Sequence, residues 1–128
     1  MHEMSIMTSL LRAVEGKVRE VGAVRVRRLR ILVGRISGIE PDLLETAFAF
    51  LSPGTVAEGA AFEIRIPALQ VRCNDCQRTF ELDEIQFACP QCGGSNVEIQ
   101  GGDELLIEEM EVDFASASGS GLRENSEG

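Results

Sequence analysis

Apolar positions recur every three or four residues at the start of the chain: Met4, Met7, Leu11, Val14, Val18 and Val21, joined by Leu10. Arg12, Glu15, Lys17, Arg19 and Glu20 fall on the other faces. One apolar stripe at helical spacing predicts a helix over about residues 4–21, stopped by Gly22 at the C′ position. The period then changes to two. Val24 and Val26 alternate with Arg25 and Arg27, and Leu29, Ile31 and Val33 alternate with Arg28 and Arg30. The apolar set moves from even to odd numbers at Arg27-Arg28, which predicts a strand carrying a bulge there. Pro41 suits the first turn of a second helix, whose apolar face is Leu44, Ala47, Phe48 and Leu51 and which stops at Ser52-Pro53-Gly54. Phe62, Ile64 and Ile66 predict a second strand, and Leu105 to Phe114 a third, with Met110, Val112 and Phe114 sharing a face. These elements, two helices and three strands, place the chain in the α+β class. Residues 115–128 hold no core former and are expected to be a mobile tail.

Composition narrows the chemistry. With 128 residues and 44% hydrophobic content the chain can build a core. Net charge is −9, but its distribution is uneven: +2 over residues 1–72 and −11 over residues 73–128. The acidic balance disfavours nucleic acid, and the absence of Trp and Tyr disfavours base-stacking surfaces. No apolar run reaches the roughly 20 residues needed to cross a bilayer, and no basic-then-apolar leader is visible, so a cytoplasmic protein is expected.

All four cysteines lie in one window, as Cys73-Asn-Asp-Cys76, twelve residues, then Cys89-Pro-Gln-Cys92. Each pair aims two sulfurs at one point, and two such pairs make a tetrahedron suited to Zn²⁺. Iron uses the same ligands, and disulfides are the alternative a cytoplasmic chain disfavours. Four thiolates leave no open coordination position, so the expected zinc is structural.

His2 is the single histidine. The Met1 amine, the His2 backbone nitrogen and the His2 imidazole form adjoining chelate rings, and the backbone nitrogen or carboxylate of Glu3 supplies a fourth donor. A nitrogen-rich planar set of this kind suits Ni²⁺ or Cu²⁺. A second, exchangeable metal site beside a closed one fits delivery of a metal better than catalysis with it. No Ser-His-Asp or Cys-His set and no glycine-rich phosphate loop is present, so an enzyme is not expected.

Met1-His2-Glu3-Met4-Ser5 resembles the start of the HypA/HybF family of nickel-incorporation proteins for [NiFe]-hydrogenase maturation. The resemblance continues through Ser37-Gly38-Ile39-Glu40-Pro41, Phe48, Gly54-Thr55 and Glu58-Gly59-Ala60. It takes in both cysteine pairs and Gly93, and ends in Gly102-Asp103-Glu104-Leu105-Leu106-Ile107. It implies an α+β fold, two helices on a three-stranded sheet, with a nickel-binding α/β domain over residues 1–72 completed by a strand at 103–114, and a four-cysteine, zinc-ribbon-like domain over 73–102 inserted before that last strand. It implies nickel held by His2 with Met1 and the neighbouring backbone, Glu3 as important for metal handling or docking, and zinc held by Cys73, Cys76, Cys89 and Cys92. The implied partners are the maturation GTPase HypB, the hydrogenase large-subunit precursor and, in some members, urease maturation proteins; a homodimer is compatible. Some relatives carry histidines beside the cysteine pairs, and this chain has none. The alternative function is a zinc-ribbon interaction module of transcription or RNA handling, with Arg25, Arg27, Arg28 and Arg30 as its contact face. Against it, these arginines read as a strand face paired with carboxylates of the third strand.

Overall fold

A computed structural model describes residues 2–83 and 88–115. The expected tail therefore lies outside the described residues apart from Ala115, as does Met1. The elements run α1 (Glu3–Val21), β1 (Arg25–Val33), α2 (Pro41–Leu51), β2 (Ala61–Arg65), β3 (Leu69–Cys73), β4 (Thr79–Leu82), β5 (Val97–Gln100) and β6 (Leu105–Asp113).

The first sheet has the order β2-β1-β6, with β1 parallel to β2 and antiparallel to β6. A parallel neighbour requires a crossover, and α2 supplies it. Met7, Leu10, Leu11, Val14 and Val18 of α1 and Leu44, Ala47 and Phe48 of α2 are buried in one cluster with Val26, Leu29, Ile31 and Val33 of β1. Met4 and Val21, at the two ends of the predicted stripe, are exposed instead. Gly22 and Ala23 close α1 by donating their N–H groups to Arg19 and Val18 carbonyls. Phe48 stacks on Phe62 with ring centroids 4.4 Å apart, fixing α2 over β2.

The bulge in β1 sits where the apolar parity changes. Val26 pairs with Val112 and Arg28 with Glu111, so Arg27 has no partner in the ladder. A second bulge lies on β6: Arg30 pairs with Glu109 and Ile31 with Ile107, leaving Glu108 unpaired. It puts Leu105, Ile107, Met110 and Val112 all on the core side, while Phe114 is exposed. The two extra residues sit on opposite strands, so the register lost at one bulge is recovered at the other.

The opposite face of this sheet carries ion pairs. Arg28 Nη2 lies 2.7 Å and Arg30 Nε 3.2 Å from Glu63. Arg25 Nε lies 2.8 Å from Asp113, Arg27 also meets Asp113, and Arg65 Nη2 lies 2.5 Å from Glu108. Fixed guanidinium forks suit this bidentate pairing.

A second antiparallel sheet, β4-β3-β5, is inserted between β2 and β6 and carries the cysteines. It did not emerge from the hydrophobic pattern. The division expected after residue 72 falls inside β3, whose Leu69, Val71 and Cys73 are buried together. The two crossings into this lobe are gripped by one loop. Gly34 N–H donates to the Glu104 carbonyl and Ile36 N–H to that of Gly102, both at 2.7 Å. Arg35 donates to the carbonyls of Ile66 and Pro67 at 3.2 and 3.3 Å.

Candidate metal centres

The two Cys-x-x-Cys turns are copies of each other. Cys73 N–H donates to the Arg78 carbonyl at 2.8 Å and Cys89 N–H to that of Gly94 at 2.7 Å. In return Gln77 and Gly93 N–H groups donate to the Cys73 and Cys89 carbonyls, each at 2.8 Å. The returning residue must turn left-handed, with φ of 63° at Gln77 and 76° at Gly93. Glycine does this without strain, and the first turn accepts a Gln at some cost. Identical backbone bonding at positions sixteen residues apart places four sulfurs symmetrically about one point.

All four sulfurs lie within 4.8 Å of one another. Cys73 and Cys92 are 3.6 Å apart and Cys76 and Cys89 3.7 Å. Zinc–thiolate bonds of about 2.3 Å in a tetrahedron give sulfur–sulfur edges of about 3.8 Å, so the cluster fits a zinc ion. Backbone N–H groups point at the sulfurs: Gln91 and Cys92 donate to Cys89 Sγ at 3.3 and 3.4 Å, and Gly94 to Cys92 Sγ at 3.4 Å. Such donors stabilise thiolate charge around a metal. Burial alone would push the Cys89 thiol up, but the Cys92 and Gln91 N–H groups and the neighbouring sulfurs bring it down to about 7. Burial raises the Cys76 thiol. Zinc bound here would neutralise half of the thiolate charge and tie two otherwise separate turns into one lobe. The cysteines are not paired as disulfides.

The second candidate lies at the head of α1. His2 is exposed at the N-cap, and its carbonyl accepts the Ile6 N–H at 3.0 Å. Met1 is outside the described residues. Glu3 is the unexpected feature, at 4% exposure. Its Oε2 accepts the Glu40 N–H at 3.0 Å, at the N-cap of α2. That hydrogen bond is the main cause holding the Glu3 carboxyl below its ordinary range. The start of α2 is a favourable place for an anion. The carboxylate that the sequence offered as an alternative nickel donor is thus engaged in joining the heads of the two helices. Glu40 was missed as its partner; Glu40-Pro41 marks a helix start in the sequence, but nothing local says what meets its N–H. A shallow cleft beside His2 is lined by Glu3, Met4, Leu43, Thr46 and Ala47.

The arginine face is occupied. Arg25, Arg27, Arg28 and Arg30 each lie against a carboxylate of β2 or β6.

Residues 1–112 match the family described as hydrogenase/urease nickel incorporation, metallochaperone, HypA. The chain belongs to this family. Similar curated relatives include the hydrogenase maturation factor HypA of Rhodobacter capsulatus, 41% identical over 112 residues, covering 88% of this chain and 99% of the relative. That of Aquifex aeolicus is 39% identical over 113 residues, covering 88% and 98%. The solution structure of the nickel metallochaperone HypA from Helicobacter pylori superposes with a TM-score of 0.64 at 25% identity, covering 90% of this chain and 100% of that one. The family segment ends within β6, so the four cysteines, the head of α1 and nearly all of both sheets fall inside it. Among the described residues no helix is long and apolar enough to cross a membrane.

Proposed function

We propose that this HypA-family protein is a nickel carrier for [NiFe]-hydrogenase maturation, working in the cytoplasm without catalysis of its own. It captures Ni²⁺ with His2, the Met1 amine and the Glu3 backbone nitrogen, and carries structural zinc on Cys73, Cys76, Cys89 and Cys92. The observation that carries this reading is the family match across residues 1–112, joined to an exposed His2 at the head of an anchored helix.

Helix geometry supports the choice of backbone donors. N–H groups in the first turn have no intrahelical acceptor, so a metal that displaces the protons of His2 and Glu3 costs α1 no internal hydrogen bond. The engagement of the Glu3 carboxylate with Glu40 favours the Glu3 nitrogen over its side chain as donor. The same bond pins the head of α1, so the donors are positioned while the imidazole stays open to solvent. An incoming ligand then displaces them one at a time, which is what transfer requires. Amine, imidazole and amide protons all leave on binding, so affinity falls as pH falls.

The recipient is the hydrogenase large-subunit precursor, with the GTPase HypB as the companion that gates delivery; urease maturation proteins are a second destination open to this family. A self-associated dimer is compatible with the same surfaces. The test is nickel titration of untagged, zinc-loaded protein, with elemental analysis of both metals. The native chain should bind one equivalent of nickel. His2→Ala and a one-residue N-terminal extension should each abolish it and leave zinc unchanged. Undiminished nickel binding after both changes would overturn the reading.

A further inference from the structure

The four zinc-site cysteines are not equally reachable. Cys73 is fully buried and Cys89 is 3% exposed. Cys76 is half-buried, and Cys92 is the exposed member. The backbone shields them unequally as well: Cys89 Sγ accepts two N–H groups, while Cys76 and Cys92 accept one each, from Arg78 and Gly94. A thiolate's lone pair is the nucleophile, and each N–H aimed at it draws off electron density. Cys89 is therefore both hidden and damped, Cys73 is hidden, and Cys92 combines access with light damping. Across the tetrahedron, 3.6 Å from Cys92, lies Cys73 of the other turn.

The geometry points to Cys92 as the zinc site's point of attack by soft electrophiles and by hydrogen peroxide, with Cys73 as the thiolate that resolves the oxidised sulfur. This is a modification site independent of the nickel reading; it rests on zinc occupying the four cysteines. With peroxide, the Cys92 sulfur attacks one oxygen. The S–O bond forms, the O–O bond breaks and hydroxide leaves, giving a sulfenic acid. The Cys73 thiolate then attacks that sulfur, the S–S bond forms, and a second hydroxide leaves. Two thiolates lose two electrons in all, and one peroxide becomes two hydroxides. Zinc is left with Cys76 and Cys89 alone, half its shell, and is released. The bridge joins the two turns, so it locks the lobe in a metal-free form that thiol reductants reverse.

The experiment uses the zinc-loaded full chain. It is pulsed with sub-stoichiometric N-ethylmaleimide, quenched and mapped by peptide mass spectrometry on the singly labelled species. Cys92 should carry at least three-quarters of the first adducts. In a second arm, hydrogen peroxide is added with a zinc-responsive dye, and the product is mapped without reduction. One zinc per chain should be released with a Cys73–Cys92 bridge. Cys92→His removes the thiolate, and the fraction of this variant that elemental analysis shows to hold zinc should react with maleimide at least tenfold more slowly. First adducts on Cys76, or spread over all four cysteines, would overturn the proposal, as would a Cys89–Cys92 or Cys73–Cys76 bridge. The native-chain mapping decides the matter even if Cys92→His fails to fold.

Discussion

The same change, glycine to alanine, should have opposite effects at two positions, and the structure gives both magnitudes. Gly34 is buried where β1 runs into the loop that grips the metal lobe. A Cβ built there would lie 2.2 Å from the Gly102 carbonyl oxygen, 2.3 Å from its carbon and 2.6 Å from the Glu104 nitrogen. All three are backbone atoms, so no side chain can turn aside. The strands must separate by about an ångström, and the Gly34–Glu104 and Ile36–Gly102 hydrogen bonds break. Each is worth about 1 kcal/mol net, and more when the orphaned group stays buried, so Gly34→Ala should cost about 2–4 kcal/mol. Gly16 is exposed in the middle of α1, and a Cβ there meets nothing within 4 Å. Alanine is favoured over glycine at such a site by about 0.8–1 kcal/mol, so Gly16→Ala should stabilise by about that amount. Urea unfolding of zinc-saturated protein, followed by far-ultraviolet circular dichroism, measures both. At about 4 °C per kcal/mol for a chain of this size, the two variants should differ in Tm by more than 10 °C. A Gly34→Ala protein within 0.5 kcal/mol of the native chain would refute the close-approach argument. A destabilised Gly16→Ala would refute the reading of α1 as an ordinary helix with an open outer face.

Phe48→Ala removes a buried ring and its stack on Phe62. It should cost about 3–5 kcal/mol, measured by the same denaturation. The carboxyls of Glu63, Glu108 and Asp113 are held below their ordinary values, chiefly by hydrogen bonds from Arg28, Arg65 and Arg25 respectively. Groups with lowered folded-state values contribute stability that is fully present above their unfolded values, roughly pH 4, and that is lost as pH falls through the folded ones. Tm should therefore hold steady with respect to these groups from pH 7 to about 5 and drop below it. Glu108→Gln should flatten part of that drop, whereas an unchanged acid profile in Glu108→Gln would rule out the Arg65 pair as a contributor. Stripping zinc with a strong chelator should abolish amide-exchange protection in β3, β4 and β5 while leaving it in β1 and α1, because a lobe of this size has too little core without the metal. Retained protection in β3 after metal removal would show that the lobe folds on its own.

Much of this protein was legible along the chain, for a local reason. The stripe of α1, the alternation of β1 and Pro41 at the head of α2 each depend on neighbours within a few residues. So does the parity change at Arg27-Arg28, since a one-residue insertion in a strand must exchange its faces. The cysteines were legible because two-residue spacing is itself the geometry of a metal-binding turn. The strands of the metal lobe were not, since Leu69 with Val71, or Val97 with Ile99, is too short an alternation to tell from a loop until a shared zinc site brings the segments together. The bulge at Glu108 was hidden because Leu105-Leu106-Ile107 offers apolar side chains on both parities, and only pairing with β1 chooses between them. The engagement of Glu3 with Glu40 and the contact of Gly34 with Gly102 join residues 37 and 68 positions apart. Contacts of that range leave no periodic trace, because they exist only once separate elements have packed. The chain alone therefore specified which four cysteines would come together. Tertiary packing decided how those groups are held, which of them solvent can reach, and that the carboxylate beside His2 serves as an anchor between two helices.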